Sequence, residues 1–155
     1  MDVSIDDRSS AKAARDSAQE YVGNNLDRLR DRDDAVLVVD EDAEYGSSEN
    51  GYAFGGEKHN KAAGSDDRMT CIVGDHISSG LYLHEVCHLY GGEHYHHDLW
   101  GSWEYTVMGN PYDERCSGGS NSYKYKARTR EFNQCAVEAI RDYMDYWHSN
   151  GEFES

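Results

Sequence analysis

His84-Glu85-Val86-Cys87-His88-Leu89-Tyr90-Gly91-Gly92-Glu93-His94 is the stretch that decides how the rest of the chain is read. It opens as HExxH inside a segment of helical periodicity, with Leu83, Val86, Cys87 and Tyr90 at spacings of three and four. The spacing predicts a helix from about Ile77 to Tyr90, broken by Gly91-Gly92. Residues i and i+4 share a helical face, so His84 and His88 can reach a single ion. Glu85 lies one residue along, where its carboxylate can reach a water without binding the ion itself. Gly91 tolerates a positive φ and can end the helix in a sharp turn that swings His94 back toward the same point. Three His ligands with a fourth position open are the pattern of catalytic rather than structural zinc. HExxH alone recurs by chance, and the added requirement for Gly91 and His94 makes a chance match rare.

Working outward, Ala35-Val36-Leu37-Val38-Val39 is a short apolar run of branched side chains that predicts a buried strand. Gly51 to Gly55 reads as an edge strand and Met69 to Val73 as another strand, with a first short strand over Val3 to Ile5. Ala11, Ala14, Ala18, Tyr21, Val22, Leu26 and Leu29 predict an amphipathic helix from about Ser9 to Arg30, with Ser9 or Ser10 as N-cap. Glu93 to Tyr125 lacks periodicity and reads as loop. Phe132, Ala136, Ala139, Ile140, Tyr143 and Trp147 predict a last helix from about Thr129 to Trp147. The expected fold is therefore α/β (α+β) in one domain over residues 1–155: a small twisted mixed sheet packed by helices, with the zinc helix closing an upper half at about residue 94. A loop-rich lower half follows from about residue 95, ending in the C-terminal helix.

Only 37% of the residues are hydrophobic, so the core is lean and aromatics, 12 Tyr among them, carry much of it. Thirty acidic residues against 15 basic ones give a formal net charge of -15. The acids are scattered rather than blocked, which suits solubility at high salt and reads as a halophile-like surface. The same charge argues against a nucleic-acid partner, because phosphate binding needs a basic footprint. No apolar run is long enough to span a membrane.

The extended zinc motif, together with Tyr105-Thr106-Val107-Met108-Gly109 downstream, resembles the metzincin clan of zinc peptidases. The resemblance implies a metzincin-like fold and an endopeptidase holding one catalytic zinc on His84, His88 and His94, with Glu85 as general base. It also implies Met108 as the apolar floor under the metal and a peptide or protein as substrate. Tyr112, four residues after Met108, stands where several metzincins place a tyrosine near the metal; the other reading is a packed loop tyrosine. The local likeness is nearest to the adamalysin (reprolysin) branch, where a Gly-x-Ala strand forms the upper rim of the substrate cleft. Gly51-Tyr52-Ala53 matches that strand, and Arg32-Asp33-Asp34-Ala35 and Phe132-Asn133-Gln134-Cys135 echo the same branch. The chain differs from it at Tyr95, where adamalysins usually carry Asp, and at Cys87, where they mostly carry Gly. The alternative function is a zinc-stabilised binding module with weak or no turnover.

Four cysteines, Cys71, Cys87, Cys116 and Cys135, permit three pairings of two disulfides. A local Cys116–Cys135 bridge would leave Cys71 with Cys87, or Cys87 as a free buried thiol. The adamalysin likeness instead favours a long-range link from the strand region to Cys135. The cysteines and the resemblance point to a secreted protein, expected to be monomeric. Met1-Asp2-Val3-Ser4 shows no signal-peptide pattern, so a removed leader and a cytoplasmic location are the alternatives. His96, His97 and Asp98 could form a second metal site, though a solvated loop is the plainer reading. Asp40-Glu41-Asp42 and Glu104 offer oxygen ligands for calcium but lack EF-hand spacing, so they read as acidic surface. His59, His76 and His148 have no assigned role.

Overall fold

The computed structural model describes residues 2–25, 35–43, 45, 51–53, 69–74, 79–94, 96, 99–100, 104–109, 115–118 and 127–149. Three helices and two small sheets make a mixed α/β architecture: α1 (Ala11–Asn25), β1 (Ala35–Asp40), β2 (Gly51–Ala53), β3 (Met69–Gly74), α2 (Ser79–Leu89), β4 (Leu99–Trp100), β5 (Glu104–Tyr105), β6 (Ala127–Arg128) and α3 (Gln134–Ser149). β3 is the middle strand of the first sheet. It runs parallel to β1, from Ala35 opposite Met69 to Asp40 opposite Gly74. It runs antiparallel to β2, with Gly51 opposite Val73 and Ala53 opposite Cys71. Alternation along β3 divides the helices. Ile72 faces α1 and joins Ile5, Ala14, Ala18 and Val38 in one apolar cluster. Cys71 faces α2 and packs on Leu89. Each large side chain fully buried here, Ile72 and Leu89 among them, contributes about 1.5–3 kcal/mol.

α1 packs closely because its inward face is small: Ala11, Ala14, Ala18 and Val22 are all fully buried. Ser10 caps it, its Oγ accepting from the Ala13 amide at 3.1 Å. The segment before it is not the expected strand. Val3 to Ile5 makes no ladder, and Asp6 N donates to Ser17 Oγ instead, while Arg8 donates to the Ile5 carbonyl. Arg8 also grips Asp40 through both carboxylate oxygens, at 2.9 and 3.1 Å, so the acidic end of β1 already faces a cation.

β1 is not buried on both faces as its continuous apolar run suggests. It flanks the sheet, and Leu37 and Val39 are 39% and 46% exposed, whereas Val38 on the other face is 6% exposed. The lower half is not all loop either. β4 pairs antiparallel with β5, and β5 pairs parallel with β6. α3 begins at Gln134 rather than near Thr129, with Asn133 Oδ1 accepting from the Ala136 amide at 3.3 Å. Phe132 therefore precedes the helix and is exposed, while Ala136 and Tyr143 are buried members of the predicted stripe. Residues 26–30, 54–55 and 77–78 of the predicted elements lie outside the described residues, as does the Arg32-Asp33-Asp34 lead-in.

A disulfide joins Cys116 to Cys135 in the first turn of α3, across 19 residues. A loop of that size gives about 3 kcal/mol by closure entropy. Cys71 and Cys87 are buried free thiols, so neither the second bridge nor the long-range link to Cys135 forms. The two thiols sit in separate clusters, Cys71 with Leu89 and Cys87 with Val107, Met108 and Ala136. Burial pushes the Cys87 thiol up to about 12. Burial, with the neighbouring Glu85 charge, raises that of Cys71 as well. Among the described residues no helix is long and apolar enough to cross a membrane.

Candidate metal centre

α2 carries the first two histidines, and the manner in which it ends delivers the third. Gly91 has φ +82°. The Gly91 amide donates to the His88 carbonyl at 3.2 Å and the Gly92 amide to the Cys87 carbonyl at 2.9 Å. This pair of bonds is a Schellman cap, which closes the helix and reverses the chain. Gly91 also lies against α3: a Cβ there would stand 3.0 Å from Tyr143 Cβ. Position 91 therefore requires glycine twice over, for its backbone angle and for its neighbour.

Beyond the cap, His94 returns to the two helical histidines. His88 Nε2 stands 3.1 Å from His84 Nε2 and 3.2 Å from His94 Nε2. The three candidate ligand atoms lie within 4.8 Å of one another. Backbone oxygens fix the protons. His84 Nδ1 donates to the Val107 carbonyl at 2.9 Å, and His88 Nδ1 donates to the Gly92 carbonyl at 2.6 Å. A carbonyl only accepts, so both rings carry a proton on Nδ1, and in the neutral tautomer that this selects each turns an Nε2 lone pair inward. Lone pairs this close repel unless a cation lies between them. A tetrahedral ion roughly 2.0–2.1 Å from each nitrogen needs the nitrogens roughly 3.3 Å apart, which both separations from His88 match, and the three residues together could hold a metal ion. Among the described residues this is the one group of three or more His, Cys, Asp or Glu arranged to hold one.

The turn at Thr106 to Gly109 links α2 to the segment ahead of α3. The Gly109 amide donates to the Thr106 carbonyl at 2.8 Å, with Val107 and Met108 between them. Val107 spends both backbone groups: its carbonyl takes the His84 proton, and its amide donates to the Glu131 carbonyl at 2.8 Å, just ahead of α3. Met108 is fully buried, in a cluster with Cys87 and Ala136, and its methyl lies beside Gly92, the residue that holds His88. Met108 thus packs behind a ligand's support.

Glu85 is 6% exposed and reaches the edge of the sheet, its Oε1 beside Gly51. Gly51, Tyr52 and Ala53 form β2, at the end of the strand order and half-buried. His96 is not drawn into the cluster. Its Nδ1 accepts from the Glu93 amide at 2.9 Å, and burial lowers its pKa. His148 is exposed in the last turn of α3. Tyr112, Tyr95, His97, Asp98, His59 and His76 lie outside the described residues.

Sequence reading missed the carbonyls of Val107 and Gly92 and the ring of Tyr143. Carbonyls have no side-chain signature. Tyr143 was visible only as one member of an apolar stripe, with nothing to tie it to Gly91. No protein-family model matches the chain, and no curated protein matches it.

Proposed function

We propose that the chain is a zinc-dependent endopeptidase of the metzincin type. The observation that carries the reading is the convergence of three imidazole nitrogens, two with their protons tied to carbonyls, beside a buried glutamate on the same helix. Three neutral imidazoles suit zinc among the first-row ions, and three protein ligands leave one position for the reactants. An ion held there supplies Lewis acidity, drawing electrons from a carbonyl and making a water acidic near neutral pH.

The chain's own groups do the rest. Val107 and Gly92 hold the rings of His84 and His88 in register. Glu85 accepts the proton of the attacking water on its carboxylate and delivers it to the leaving amine as the peptide bond breaks. The outer edge of Gly51 to Ala53 binds an extended peptide by strand addition. The Cys116–Cys135 bridge is compatible with an oxidising, extracellular setting, and the net charge of -15 with work at high salt.

The test is zinc content together with a peptide-library cleavage profile across salt concentrations. The wild type should carry one zinc and cut within long peptides. Glu85→Ala should keep its zinc while kcat falls by roughly 10²–10⁴-fold, the usual worth of a general base. Full activity in Glu85→Ala sinks the assignment. Tight zinc with no cleavage in any salt points to the binding module instead.

A further inference from the structure

Gly51 and Glu85 meet on the α2 face of the first sheet. A Cβ on Gly51 would stand 3.1 Å from Glu85 Oε1, 3.1 Å from Val73 Cγ1 and 3.0 Å from the Ile72 carbonyl oxygen. The backbone does not demand glycine there. Among the described residues the positive-φ glycines are Gly91 and Gly118, so position 51 has a strand conformation open to any residue. Glycine weakens a strand, and a strand glycine without an unusual φ marks a close approach. Two of the three close neighbours belong to β3 and are scaffold. The third is the carboxylate oxygen of a residue only 6% exposed.

We infer that Gly51 is a positioning residue for Glu85: its missing side chain leaves a slot against the edge strand in which the carboxylate stands. The inference rests on the endopeptidase reading and deepens it. The strand proposed to carry the peptide is also the wall that sets where the base lies. A methyl at position 51 displaces the carboxylate and leaves the three ligand rings where they are. The oxygen must give by a few tenths of an ångström, and since a full 1 Å error in placing reacting groups costs about 10²-fold, a smaller loss of rate is expected.

Two measurements test this on the full chain: the wild type, Gly51→Ala, Glu85→Ala and the double variant. The first is a melting cycle, run with and without zinc. Gly51→Ala should lower the melting temperature more in the wild-type background than in Glu85→Ala, where the opposing oxygen is gone. An equal fall in both backgrounds assigns the cost to β3 alone and overturns the inference. If Gly51→Ala does not fold, recovery of folded protein in the double variant supports the contact, and failure of both overturns it. The second measurement is kinetic. Gly51→Ala should keep its zinc dissociation constant and its KM while kcat falls ~10-fold or more. A raised KM with unchanged kcat is the mark of a damaged edge strand and overturns the positioning role. A wild type that binds zinc and cleaves nothing overturns the endopeptidase reading and the catalytic role of Gly51 with it. A wild type that cleaves, with uncoupled melts, overturns this inference alone.

Discussion

α1 and α2 lie on opposite faces of one three-stranded sheet and are made of different materials. α1 buries Ala11, Ala14, Ala18 and Val22, a face chosen for smallness. Its one buried charge, Arg15, is spent on the scaffold, donating to the Thr70 carbonyl at 3.1 Å and to Asp16 at 2.8 Å. α2 buries His84, Glu85 and His88 beside Cys87 and Leu89. Two of its buried rings also bond to backbone, yet each keeps a second nitrogen aimed at a shared point. Burial alone therefore does not separate a supporting helix from a working one. What separates them is that buried ring nitrogens of α2 converge on one point, which nothing on α1 does.

Four perturbations tell the two helices apart. Removing metal should have the largest effect. A chelator should lower the melting temperature of the wild type, by an amount equivalent to about 2.7 kcal/mol when free zinc had been 100 times its dissociation constant. The loss should vanish in His94→Ala, and a chelator-insensitive melt would end the metal reading. Gly91→Ala comes next. It forces a side chain into φ +82° and against Tyr143, a strain of about 1–3 kcal/mol. Because the turn delivers His94, zinc affinity should fall with stability. On the other face, Ala18→Leu should cost about 1–3 kcal/mol by overpacking and leave zinc affinity unchanged; a loss of both would show that the faces are not independent. Ser10→Ala, removing the cap of α1, should be the smallest, about 1 kcal/mol in a denaturant melt.

The same contrast explains what was legible in the sequence. The helices showed because their periods are long: four buried positions on α1 and two histidines a turn apart on α2 are patterns over many residues. Gly91 showed because glycine has few reasons to follow a helix. β4, β5 and β6 did not, since two residues apiece carry no alternation, and the β5–β6 pair joins residues more than twenty apart. Val3 to Ile5 has a strand's composition, but the Ile5 carbonyl accepts from Arg8 and the next amide, that of Asp6, donates to Ser17 Oγ rather than to a neighbouring strand, a choice made by tertiary packing. Leu37 and Val39 misled for a related reason: the run is apolar on both faces, while the described sheet and helices cover one. In the site, the three histidines that come together were readable and the groups that hold them were not, because a backbone carbonyl looks the same at every position.

The two buried thiols bear on how the chain acquires its one bridge. Four cysteines can pair in three ways, and exchange among them runs through the thiolate. Once β3 and α2 have packed, the thiols of Cys71 and Cys87 are held protonated and out of reach. Only Cys116 and Cys135 are then left to oxidise. Folding thus acts as a proofreader of the covalent structure, and the finished bridge is sheltered from attack by its own chain.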